Sequence, residues 1–103
     1  MAPRIRDDVA RFFNERHQAV EILKWQYEAA FFGNYLVIFK SGNIEMQIIM
    51  DRGQLFYGWR IGEEANFTDN FLDPRASGLD KSLALNTILL TLYETSGLNA
   101  VKH

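Results

Sequence analysis

The stretch NIEMQIIMDRGQLFYGWRI, Asn43 to Ile61, restricts the fold more than any other part of the chain. Two runs of alternating apolar and polar residues flank Asp-Arg-Gly, which is the pattern of a β-hairpin. With Arg52-Gly53 as a two-residue loop, Met50 faces Leu55, Ile48 faces Tyr57, Met46 faces Trp59 and Ile44 faces Ile61. Every one of these pairs is apolar. On the opposite side the same register sets Glu45 against Arg60 and Asp51 against Gln54. Side chains alternate with a period of two, so a slip of one residue would turn the whole apolar set to the other face. Gly53 supplies the positive φ that the loop needs. Asp51 and Arg52 then stand at an exposed tip, free to meet a partner, with nothing beside them to make them catalytic.

The neighbouring segments extend the sheet. YLVIFKSGN pairs with the hairpin in one of two registers. A loop at Ser41-Gly42 sets Phe39 against Ile44, and a loop at Gly42-Asn43 shifts the pairing by two and keeps the same faces. Residues 20–31, VEILKWQYEAAF, fit either a helix with Val20, Leu23, Tyr27 and Phe31 on one side, or a strand. The strand places Leu23, Trp25, Tyr27, Ala29 and Phe31 together, which keeps both large aromatics on one face and is the favoured reading. Its aromatic side faces inward if Phe32-Gly33-Asn34 is a three-residue loop. Asp7-Asp8 before VARFFNERH marks a short helix with Val9, Phe12 and Phe13 on its apolar side. Near the other end, Asp80 caps a helix whose stripe is Leu85, Ile88, Leu89 and Leu92, and Gly97 stops it. The intervening GEEANFTDNFLDPRASG has no regular period and reads as loop. The expected fold is α+β: an N-terminal helix, a four-stranded antiparallel meander and a C-terminal helix, in one domain over residues 1–103.

Composition narrows the function. At 103 residues there is length for a single core. No cysteine means no disulfide framework and no thiol chemistry. The N-terminal residues lack an apolar signal core, and the apolar runs fall short of the ~20 residues of a membrane helix. A cytoplasmic location is expected. Net charge is −2, unevenly spread: residues 62–103 hold six acidic and three basic side chains. A nucleic-acid binder would show a basic stripe, and this chain has none.

Nothing in the sequence is arranged for chemistry. His17 lies at a helix end and His103 at the chain end. Glu21 follows His17 by four residues, but one such pair is common and no metal site is expected. No serine has a nucleophile-elbow context and no glycine-rich loop opens a helix. No cofactor and no enzyme activity are expected. Two features remain. Glu63, Glu64, Asp69 and Asp73 form an acidic segment that reads as a solvated loop or a docking surface for a basic protein. The outer sheet face should carry Leu36, Ile38, Ile49 and Phe56 beside Lys40, Glu45, Gln47, Gly58 and Arg60. Those four apolar side chains are either covered by a helix, the favoured reading, or form a contact patch.

From Val9 to about residue 95, the order of elements with Asp51-Arg52-Gly53-Gln54 between its strands resembles a group of small bacterial cytosolic proteins. Some of them look like immunity proteins of contact-dependent growth-inhibition and polymorphic-toxin systems. The resemblance implies a non-catalytic inhibitor that binds the toxic domain of a cognate effector; independently, the acidic 63–80 region fits an inhibitor of a basic domain such as a nuclease. The resemblance transfers no site residues. Contacts are expected at Glu63, Glu64, Asp69 and Asp73, then at Leu36, Ile38, Ile49 and Phe56. Two other readings stand beside it: a small acidic secretion chaperone or other protein-binding adaptor, and an enzyme or small-molecule carrier using the aromatic side of the sheet.

Overall fold

The structure, a computed structural model, describes residues 4–28, 30, 33–62 and 66–98. Helix α1 (Ile5–Asn14) leads into strands β1 (Glu21–Glu28), β2 (Asn34–Ser41), β3 (Ile44–Asp51), β4 (Gln54–Ile61) and β5 (Asn70–Leu72). A single turn of helix, α2 (Pro74–Ser77), precedes the long α3 (Lys81–Thr95). The strands form one antiparallel sheet in the order β1-β2-β3-β4-β5. The α+β class, the two flanking helices and the meander match the sequence reading. The strand count is five, not four.

The hairpin of β3 and β4 has the expected register throughout, from Ile44 opposite Ile61 to Asp51 opposite Gln54. Its loop is Arg52-Gly53, with φ of 52° and 83°. Both values are positive, as a tight hairpin turn that follows the strand twist demands. Between β2 and β3 the loop is Gly42-Asn43, so Phe39 faces Met46 and Val37 faces Ile48.

The ambiguous segment is a strand, with one correction. The register of β1 against β2 shifts between Ile22 and Lys24. A bulge of this kind adds a residue and reverses the alternation beyond it. Ile22 therefore shares the inner face with Trp25 and Tyr27, packed against the core. Leu23, expected there, is 42% exposed. Tyr27 pairs with Tyr35 and Glu28 with Asn34, so the connection is longer than the three residues expected. The difference is an even number of positions, which keeps the aromatics inward. Ala29 and Phe31 of the expected strand lie outside the described residues.

Helix α1 carries Asp7 and Asp8 in its first turn, where the helix dipole favours negative charge, and buries Ile5, Val9, Phe12 and Phe13. It ends with His17 at φ 57°, and the Gln18 N–H donates back to the Phe13 carbonyl at 2.9 Å. Glycine more often fills such a left-handed stop. Gln18 then ties three parts of the fold together. Its buried amide donates to the Leu98 carbonyl at 3.2 Å and accepts from the Ser41 hydroxyl at 3.5 Å. Helix α3 begins at Asp80, whose carboxylate accepts from the Leu83 N–H at 2.8 Å. It buries Ala84, Leu85, Ile88, Leu89 and Leu92, and Gly97 turns the chain at φ 85°. Edge-on rings join these layers: Phe13 to Phe39 at 5.8 Å and Phe12 to Tyr93 at 6.0 Å. Both long helices thus sit on the sheet face that bears Tyr35, Val37, Phe39, Met46, Ile48 and Leu55, and all of these belong to one core.

Strand β5 lies in the segment read from sequence as loop. Three residues are too few to show a period of two. They bond to the open edge of β4, with Phe56 opposite Phe71 and Leu55 opposite Leu72. Just before β5 the Thr68 N–H donates to the Trp59 carbonyl at 2.9 Å, and the Trp59 N–H donates to the Thr68 hydroxyl at 3.1 Å. The side chain replaces the carbonyl in this pairing. The freed carbonyl lies over Gly58, where a Cβ would come within 1.8 Å of it. Glycine at 58 is therefore required by close backbone approach. Gly58→Ala should destabilise the fold by about 2 kcal/mol, the usual scale of overpacking, and loosen β5 first. A lowered urea midpoint, with amide exchange fastest at residues 68–72, checks this.

Candidate functional site

The register places the outward side chains in rows that cross the strands. The central row runs Gln26, Leu36, Ile49, Phe56 and Phe71, each opposite the next. The rings of Phe56 and Phe71 lie 5.2 Å apart. One side of this row is polar, with Glu28, Asn34, Asp51 and Gln54 at successive strand positions. There the Asn34 side chain accepts from the Arg52 N–H at 2.9 Å, which holds the hairpin tip against β2. On the other side come Lys24, Ile38, Gln47 and Gly58, then Lys40, Glu45 and Arg60. Arg60 is clamped to Glu45, Nη2 to Oε2 at 2.6 Å, and its guanidinium lies 4.4 Å from the centre of the Phe67 ring. Both partners of this pair are mostly shielded from water, so it is screened less than a surface ion pair.

Leu36, Ile38, Ile49 and Phe56 are half-buried, and Phe71 is 53% exposed. The segment before β5 lies over part of this face, with the Thr68 carbonyl above Gly58 and the Phe67 ring against Arg60. The buried residues of α1 and α3 pack with the inner face, and the core they form includes none of these five. The expectation that a helix covers the outer face is overturned: among the described residues both long helices lie on the other side. The reason is visible in their composition. Each has one apolar stripe, and the inner face, with its larger aromatic and aliphatic surface, takes both stripes.

The acidic segment is only partly a surface. Glu63 and Glu64 lie outside the described residues. Asp69 is exposed and precedes β5. The Asp73 carboxylate accepts from the Arg75 N–H at 3.0 Å as the cap of α2, so it has a local partner. Phe71 was missed by sequence reasoning because it falls in a segment without period. Asn70-Phe71-Leu72 shares its apolar centre with Asn66-Phe67-Thr68 in the same polar stretch, so no local signal singled it out. Among the described residues, no three His, Asp or Glu side chains gather closely enough to hold a metal ion. Nor, among them, is any helix long and apolar enough to cross a membrane.

Neither a protein-family model, nor a curated protein, nor a solved structure matches this chain. The site's chemistry therefore rests on its own geometry.

On the inner face, burial raises the pKa of Tyr35 well above the usual phenol value, and the nearby Asp8 carboxylate pushes in the same direction. The folded state thus holds this proton more tightly than the unfolded chain. The contribution of Tyr35 to stability should be constant well below pH ~10, the pKa of an unfolded tyrosine, and fall as pH rises through it. Tyr35→Phe should flatten that alkaline decline, read as the urea midpoint between pH 8 and 11.

Proposed function

We propose that this chain is a non-catalytic immunity protein that binds and neutralises a cognate toxin domain on the open face of its sheet. The observation that carries the binding reading is the row Leu36–Ile49–Phe56–Phe71, which neither long helix covers among the described residues. A contiguous apolar patch on a solvent-facing sheet is a liability for solubility, and its usual reason is a partner that buries it. The patch is also rigid. Its central strands carry Val37, Ile48 and Leu55 on their other side, fixed in the core, so little ordering entropy is lost when a partner docks.

The class of partner is supported by two features of the chain. One is the resemblance of the Asp51-Arg52-Gly53-Gln54 hairpin and its flanking elements to the toxin-immunity group. The other is charge. Residues 62–103 carry three more acidic than basic side chains, and exposed Asp69 stands two residues from Phe71 at one end of the row. A basic toxin surface, such as that of a nuclease, would meet an apolar centre with an acidic flank. In such an arrangement the charges speed association and select the partner, while the buried apolar contacts hold it. The same row could instead hold an extended segment of a secreted effector, which is the chaperone reading. The two separate on one readout: an immunity protein abolishes the toxicity of its partner, and a chaperone's partner is exported.

The experiment starts from co-purification of the partner from the native gene neighbourhood. Ile49→Asp and Phe56→Asp should each leave the protein folded and weaken the partner about 100-fold, the scale of a central hot spot. Asp69→Lys should mainly slow association, with a smaller effect at high salt. Undiminished affinity in both Ile49→Asp and Phe56→Asp would eliminate the open face as the docking site.

A further inference from the structure

On the opposite side of the sheet, where the first turns of α1 and α3 meet the hairpin end of β3 and β4, lies a cavity of about 340 Å³. At ~30 Å³ for each water-sized group, it has room for roughly ten non-hydrogen atoms. Its floor is apolar: Ile5, Met50, Leu55 and Leu85, all buried. Its rim carries the cations Arg4 and Lys81, both exposed. A second hollow of about 520 Å³ shares Met50, Gly53 and Lys81 with it, and adds Arg52 and Arg75. Two carboxylates also border these hollows, and each already has a partner. Asp8 is bridged to Arg11, and Asp80 caps α3. Arg4, Lys81 and Arg75 have no carboxylate partner among the described residues. This end of a net-acidic chain is therefore locally positive.

The decisive group is Tyr35. Its side chain is 7% exposed and lines the cavity beside Asp8. Among the described residues its hydroxyl makes no hydrogen bond. No buried side-chain polar atom among the described residues lacks a partner, so this hydroxyl opens into the cavity, where it can donate to a ligand acceptor. Its proton is held through the physiological range, so it can only be offered to such an acceptor.

We propose that this cavity binds a small organic carboxylate, its anionic head between Arg4, Lys81 and the Tyr35 hydroxyl and its apolar body on Ile5, Met50, Leu55 and Leu85. Cations at the rim and an apolar floor suit a molecule with one charged end and one greasy end, and a bare inorganic anion would leave the floor unused. The site lies on the helix-covered side of the sheet, so it stands or falls independently of the partner-binding face.

The probe is octanoate, which has one carboxylate and an eight-carbon chain. Amide-resolved NMR titration of the full chain should show saturable shifts at residues lining the cavity and none along Leu36–Ile49–Phe56. Octanol should bind at least about tenfold more weakly, because charge-assisted hydrogen bonds to the head are lost. Inorganic phosphate should bind at least as poorly. Arg4→Ala and Lys81→Ala should each weaken octanoate by about threefold or more. Tyr35→Phe should weaken it severalfold while leaving the melting temperature at neutral pH unchanged, since the lost hydroxyl opens into the cavity and bonds no protein group among the described residues. No saturation by about 10 mM octanoate, equal binding of octanol, or unaltered affinity in all three variants would overturn the proposal.

Discussion

Everything in this fold depends on the parity of the β3–β4 hairpin. Two consecutive residues with positive φ, Arg52 and Gly53, close a loop of fixed length. That length sets Met46 against Trp59 and Ile48 against Tyr57 on one face, and Glu45 against Arg60 and Ile49 against Phe56 on the other. Each added strand inherits the choice through its own pairing. One shifted residue would exchange the two faces, present Gln47 and Glu45 to the helices, and leave the helix stripes unmatched.

Once the faces are set, the two helices have one destination. The stripes Ile5–Val9–Phe12–Phe13 and Leu85–Ile88–Leu89–Leu92 both pack with Val37, Phe39, Met46 and Ile48. The Gln18 amide, bonded to Ser41 and to the Leu98 carbonyl, holds the ends of both helical regions to the sheet. The outer face then keeps an apolar row that neither helix can reach. An antiparallel sheet with its helices on one side only is common when the other side is polar. Here the other side is apolar at its middle and polar at its margins, the distribution on which the proposed docking surface rests.

The parts of this architecture that obey a period were legible in the sequence. Strands β2 to β4, their faces, α1, the α3 stripe, the Asp80 cap and the Gly97 stop all follow from alternation or helical spacing. The parts that break a period were not. The bulge at Leu23 reverses parity in mid-strand, and no local signal marks it, because both Ile22 and Leu23 are apolar. Strand β5 is three residues long, and its existence depends on a backbone edge that it must reach across a turn. The fate of the outer face was misread for a different reason. Covering Leu36, Ile38, Ile49 and Phe56 with a helix is expected if a single sheet face cannot accommodate all the apolar side chains of the chain. The competition that decides it is between faces, and the inner face offers more area to each helix. Of the acidic positions, Asp73 reads as surface charge until the Pro74 that follows is seen to open a helical turn that it caps.

The central claim, that among the described residues both long helices pack on one face of the sheet and neither covers the row on the other, can be tested without a partner. A soluble paramagnetic agent relaxes methyl groups in proportion to their access to solvent. Along β2 and β3, alternate residues should respond oppositely: Leu36, Ile38 and Ile49 strongly broadened, Val37 and Ile48 unaffected. Equal protection of both sets would show that the outer face is covered, and would contradict this account.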